Sequence, residues 1–245
     1  MKKTYLSAAL AMAMFFFGSV SLAEETTIEG GGDRPFIVTG KISVHSSDTS
    51  EYTGEHISSS PLLKTEVTIT HSRSKIYLSA LAYVTQESVN EVDVLLGKSI
   101  EVGEATVDIG MGFYDIGRLG NMEEDFLAMY IGIEFPKIAW GIVPFVYLES
   151  NTPLRNEISE GGVLWKAGLK KSIEISEQPI EFKVEVGGND GIYGTDPLPV
   201  FFARGTTSTE VSFYGVKIIP TFAVQKGFGG IAEEWRFIFG ISIPF

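Results

Sequence analysis

Two histidines in this chain have serines nearby at spacings that invite a hydrolase reading. His45 and Ser47 lie two apart, so an extended strand would project both from one face, and Glu51 and Glu55 follow as carboxylates able to orient an imidazole. Barrel-borne lipid hydrolases use such a pair. The plainer account is a polar strand end entering a Ser/Thr-rich loop, and it is the one adopted here. His71 and Ser74 sit three apart at a turn, where they are expected to cap the turn rather than catalyse. Asp48, Glu51, Glu55 and His56 hold the residue types of a barrel protease, but an acidic loop is first of all a solvated one. The oxygens of Glu123-Glu124-Asp125 and of Asp190 to Asp196 could hold a divalent cation bridging lipopolysaccharide, yet EF-hand spacing is lacking and solvated charge runs are expected. No phosphate-binding loop, zinc spacing or dinucleotide fingerprint occurs. The expectation is a protein that is not an enzyme, with no catalytic residue, metal or cofactor.

The remaining charges are patterned differently. Lys41, Lys64, Glu66, Asp108, Glu134, Lys166, Lys170, Glu181, Lys183 and Arg236 fall on the polar side of segments whose other positions are mostly apolar, in a period of two. Val107, Ile109, Met111 and Phe113 alternate with Thr106, Asp108, Gly110 and Gly112; Ile180, Phe182, Val184 and Val186 alternate with Glu181, Lys183 and Glu185. The same alternation recurs from Phe36 onward, and no stretch past residue 23 sustains a 3.6-residue period. The elements that position these charges are therefore strands, and the fold class is all-β.

Alternation alone does not say which face is inside, because a soluble barrel turns its apolar face inward and a membrane barrel turns it to lipid. The connections decide. Short turns are read at Ser72–Ser74, Val102–Glu104, Pro136-Lys137, Ser176–Pro179 and Gly205–Thr207. Longer polar links are read at Ser46–Ser60, Asp115–Asp125, Ser150–Glu160, Gly187–Pro197 and Ala223–Ala232, with a medium one at Gln86–Asn90. Short turns alternating with long links match periplasmic turns and external loops, which gives a closed antiparallel transmembrane β-barrel of about twelve strands with periplasmic N- and C-termini. The charged faces also carry more charge than a dry interior would bury, so the ten residues named above are expected to line a lumen. Tyr147, Trp165, Phe126 and Trp235 are candidates for interfacial aromatic girdles.

The ends fit export. Lys2 and Lys3 precede an apolar run from Leu6 to Gly18, and Ser21-Leu22-Ala23 supplies small residues for cleavage, so residues 1–23 read as a signal peptide. That run is short for a membrane-spanning helix. Residues 24–34 are acidic and glycine-rich and read as a periplasmic tether, leaving 35–245 for the barrel. Trp235, Phe237, Phe239, Ile241, Ile243 and Phe245 share one face of a last strand ending in an aromatic, the form of a barrel-assembly signal. The 245-residue chain has net charge -12; without residues 1–23 it carries 17 basic and 31 acidic residues, or -14. A nucleic-acid partner is excluded by that balance. The absence of cysteine excludes disulfide staples and lipid modification at the cleavage site.

Several short motifs, in order, resemble the TorF-type porins, bacterial outer-membrane proteins mostly of unknown function. They run from roughly Thr68 to Phe245: His71, Ser74 and Tyr77; Asp93 with Leu96-Gly97; Val102-Gly103, Asp108, Gly110 and Tyr114-Asp115. Further on come Pro144, Tyr147-Leu148-Glu149 and Pro153; Gly161-Gly162, Ala167-Gly168 and Lys170; and Asp190-Gly191 with Tyr193-Gly194. Lys98 stands where an aromatic is usual, and Ile243-Pro244-Phe245 replaces the commoner aromatic-x-Phe ending. The resemblance implies a porin-like barrel and no catalytic residues. The expected function is passive diffusion of small hydrophilic solutes through a narrow mixed-charge lumen in a Gram-negative outer membrane. The expected partners are outer-membrane lipid, lipopolysaccharide and the barrel-assembly machinery. The alternatives are a structural or binding barrel with a salt-bridged lumen and working loops, and, more remotely, a hydrolase.

Overall fold

The computed structural model describes residues 35–46, 48–49, 56–58, 61–84, 89–116, 125–154, 161–176, 178–190, 198–228 and 235–245. The proposed signal peptide and tether, Ser47, Glu51, Glu55, Glu123-Glu124 and the acids of 191–197 lie outside the described residues. Twelve strands build the wall: β1 (Phe36–His45), β2 (Leu62–His71), β3 (Ile76–Val84), β4 (Val89–Val102), β5 (Ala105–Ile116) and β6 (Phe126–Glu134). The second half is β7 (Val143–Pro153), β8 (Gly162–Ile175), β9 (Gln178–Asn189), β10 (Leu198–Thr209), β11 (Val216–Gly227) and β12 (Trp235–Pro244).

Each strand pairs antiparallel with its neighbours in sequence, and β12 pairs back onto β1, from Lys41 opposite Pro244 to His45 opposite Gly240. Gly40 and Phe245 exchange both backbone hydrogen bonds at 2.9 Å, so the ring has no open edge. Asp48–Thr49 and His56–Ser58 form a small separate ladder in the first long connection. The described helical content is a single 3₁₀ turn, Ala139–Gly141.

The period-2 pattern becomes two surfaces of opposite character. On β12, Phe237, Phe239 and Ile241 point outward and stay 54–59% exposed, while Ile238 and Ser242 point inward at 7–8%. Outward faces throughout carry exposed Val, Ile, Leu and Phe, including Val38, Leu96, Met129 and Val184. A contiguous apolar exterior on this scale is tolerable only against lipid. Lys98 and Lys171 are outward exceptions on β4 and β8, close enough to a short turn for a long side chain to reach the polar boundary.

One expected hairpin turn is displaced, and several other connections differ in length. Gly205–Thr207 was expected to turn, but it lies inside β10, paired with Val184–Phe182 on one side and Val224–Phe222 on the other. Turn-forming composition there is overridden by two full ladders of backbone bonds. The turn is instead Tyr214-Gly215, both at positive φ (50° and 80°), where the mirror-image two-residue geometry matches strand twist. Val211–Phe213 carries the ladder from β10 up to it. Correspondingly the link expected from Ala223 is strand until Gly227. The links expected from Ser150, Gly187 and Asp115 likewise begin later, after Pro153, Asn189 and Ile116. Around Pro136-Lys137 the turn is longer than expected and runs to Ile142. The strand count is unchanged, because the hairpin shifted without being lost.

At the first turn His71 and Ser74 act as expected: Nδ1 of His71 accepts the Ser74 backbone N–H at 3.2 Å and lies 2.9 Å from its hydroxyl.

Candidate functional site

Residues opposite one another across a ladder share a face, so the register carries the inner surface around the ring. Lys41 lies opposite Glu66, Glu66 opposite Leu81, Leu81 opposite Asp93, and Asp93 opposite Tyr114. Lower in the wall, Asp108 faces Gly132, Gly132 faces Tyr147 and Tyr147 faces Lys166. The run from Gly168 through Glu185, Arg204 and Gln225 to Arg236 completes the circuit. All ten charged candidates fall on this inner face.

They are not all placed alike. Lys41 pairs with Glu66 at 3.7 Å, the side chains 41% and 32% exposed. Lys170 pairs with Glu134 across two strands, and Lys170 and Lys183 lie 5.3 and 5.1 Å from the centre of the Phe145 ring. Lys183 also pairs with Glu185 at 2.7 Å. Lys166 sits 4.7 Å over Tyr147, and buried Lys64 sits 4.9 Å over Tyr83. Glu181 is exposed and Arg236 half-buried.

Two tyrosine–carboxylate groups hold the β3–β7 wall. Tyr77 donates to Asp108 at 2.8 Å and its hydroxyl lies 2.6 Å from that of Tyr130. A Cβ on Gly97 or Gly110 would collide with the Tyr130 hydroxyl, so these glycines are the space the tyrosines lie in. Nearer the long connections, buried Glu149 accepts hydrogen bonds from Tyr114 at 2.8 Å, from Asn151 at 2.9 Å and from Tyr147. On the opposite side buried Arg204 donates through Nε to Gln225 at 2.7 Å and stacks on Phe202.

Asp93, Glu149, Arg204 and Gln225 were not among the expected lumen residues, yet each is at least nine-tenths buried on the inner face. The pattern Glu91, Asp93, Leu95, Gly97, Ser99, Glu101 against Val92, Val94 and Leu96 would have revealed Asp93. Glu149 was obscured by the loop expected from Ser150, and Arg204 by the turn expected at Gly205. Two of the four girdle candidates are corrected. Phe126 is fully buried on the inner face, and Tyr147 also points inward, bound to Glu149. Trp235 is outward and 65% exposed, and Trp165 shares that outward face. His45 points inward at the rim of β1 beside Gly240. The six apolar residues of the last strand lie on its outward face, 42–65% exposed.

No family model and no curated protein matches the chain. Among solved structures it is similar to the KdgM porin, with a TM-score of 0.53 at 7% identity over 85% of this chain and 98% of that one. The NanC porin gives 0.53 at 9% identity, covering 85% and 99%. An outer membrane channel from Pseudomonas putida F1 gives 0.52 at 7% identity, covering 88% and 99%. At such identities the likeness shows the fold: this is the closed antiparallel barrel of outer-membrane porins and channels.

Proposed function

We propose that the protein is a Gram-negative outer-membrane porin, not an enzyme, that lets small hydrophilic solutes diffuse through a narrow mixed-charge lumen. One observation carries this reading: a twelve-strand ring with exposed aliphatic and aromatic side chains outside and at least seven cationic and ten acidic side chains inside. Charges placed on an inward face are stable only where water or counter-charges reach them, and a water-filled bore supplies both. The porin-type neighbours support the class without naming a solute. The TorF-type resemblance belongs to the same proposal.

The orientation follows from the same reading. The short turns and both described chain ends lie at one rim, which we assign to the periplasm; the long connections then face outside. Residues 1–23 are taken as a cleaved signal peptide and 24–34 as a tether. The outward residues of the last strand, Trp235 to Phe245, are assigned to recognition by the assembly machinery, and the outer wall to lipid and lipopolysaccharide.

Refolded full-length protein in a planar bilayer should give discrete, salt-dependent conductance steps. A second reading is favoured by the deep burial of Asp93, Glu149 and Gln225, each at 1–2% exposure: a barrel closed by side chains, with its loops as the working surface. Steady absence of channel events from protein that shows heat-modifiable gel mobility would select that reading over the porin.

A further inference from the structure

Sorted by strand, the inward charges separate. The inner face of β4 to β7 carries Glu91, Asp93, Glu101, Asp108, Glu134 and Glu149, and no lysine or arginine. In a twelve-strand ring the four strands diametrically opposite are β10, β11, β12 and β1. Their inner face carries Arg204, Arg236 and Lys41, with His45 at the rim, and no carboxylate within the strands; Lys217, at the exposed foot of β11, is paired with Glu210 just past β10. The flanks between are mixed: Lys64 with Glu66 on β2, and Lys166, Lys170 and Lys183 against Glu174, Glu181 and Glu185 on β8 and β9. Each of the acids Glu66 and Glu185 on those flanks is tied to a lysine, Lys41 and Lys183 respectively.

This arrangement makes a field across the bore rather than along it. A simple cation gains at the β4–β7 wall what it loses near the opposite one, and an anion does the reverse. A neutral polyol feels only its weaker bond dipoles. A solute with an ammonium at one end and a carboxylate at the other gains at both walls at once, provided it turns across the axis. We propose that the solutes this lumen favours are small zwitterions, free amino acids and short peptides. The ammonium faces β4–β7 and the carboxylate faces the opposite wall, where half-buried Arg236 is the nearer contact, backed by Arg204 on Gln225 and by Lys41 beside Glu66. This inference rests on the porin reading above and names its substrate class.

The test is swelling of liposomes holding the refolded full-length protein, in isosmotic glycylglycine, a neutral pentose, and a singly charged cation and anion of similar size. In low salt, glycylglycine should enter at least about threefold faster than the pentose, since such fields concentrate matching solutes in a bore. The excess should vanish with about 1 M salt on both sides, where the screening length falls to roughly 3 Å. It should also vanish in Arg236→Gln and Arg204→Gln, checked for heat-modifiable mobility; the salt arm needs no variant and stands if either fails to fold. Entry ordered by size alone, at both salt levels, overturns the zwitterion inference and leaves the porin intact. Preference for only one sign of charge overturns it too. Entry of none of the four solutes removes the porin reading, and this inference with it.

Discussion

The two ends of the barrel interior are built on different principles. Toward the long connections the inward side chains are buried: Leu62, Lys64, Asp93, Tyr114, Phe126, Glu149, Leu164, Phe202 and Gln225 are all at most 8% exposed. Their polar groups are largely fixed by neutral partners, Glu149 by two tyrosines and an amide, Arg204 by a glutamine. Toward the short turns the inward side chains are long, charged and open to solvent, with Lys41, Glu134, Lys170 and Lys183 at 30–49%. The difference separates side chains whose burial fixes geometry from side chains that stay open to solvent. The first end holds geometry, because a desolvated polar group with fixed partners is costly to disturb. The second holds a solvent-open charged surface whose ion pairs contribute little to folding.

Substitution at Glu149 should expose the contrast most sharply. Glu149→Ala strands the hydroxyls of Tyr114 and Tyr147 and the amide of Asn151 in a site that is 2% exposed, and should cost about 3 kcal/mol of unfolding free energy. Urea titration in detergent micelles, read by gel mobility, measures this. A loss below about 1 kcal/mol would mean that water already fills this end, erasing the distinction. Gly110→Val comes next. Its new methyls meet the Tyr130 hydroxyl and the Leu96 carbonyl, so the tyrosine must leave the wall; overpacking of this kind costs roughly 2 kcal/mol. Because Tyr130 would then swing into the bore, conductance should fall in the same variant, which ties this mid-wall tyrosine group to the width of the passage. Gly132→Ala, where a Cβ meets nothing closer than 3.6 Å, serves as the control and should change neither.

The difference between the ends also explains what could be seen in the sequence. Exposed lysines and glutamates alternating with Ile, Val and Phe announce themselves by period, so the open end was legible: Lys41, Lys170 and Lys183 fall on the expected face. The ring closure and strand number were legible for the same reason, since twelve alternating runs survive a misplaced turn. The buried end was not. Glu149 and Arg204 directly precede Ser150 and Gly205-Thr206-Thr207, where a polar link and a turn were expected, so the expected strands broke off beside them although both lie in mid-strand. Tyr147 reads as membrane girdle because an aromatic near a strand end has two possible faces, and only the register assigns it to the inner one. Local composition marks a turn; the number of backbone bonds a neighbour offers decides whether it forms.

The smallest stability change is expected at the open end. Lys170→Ala removes the ion pair with half-exposed Glu134 and a cation from the Phe145 ring, and should shift unfolding by about 0.5 kcal/mol or less. Its effect on permeation should nevertheless exceed that of many costlier changes. The substitution leaves Glu134 without its lysine and makes the inner face one charge more negative, so reversal potentials under a salt gradient should move toward cations. Lys183→Ala should move them the same way, because it likewise frees Glu185 from its pair. If either lysine variant unfolded as readily as Glu149→Ala while selectivity stayed fixed, the open end would be structural as well, and the division of labour between the two ends would be wrong.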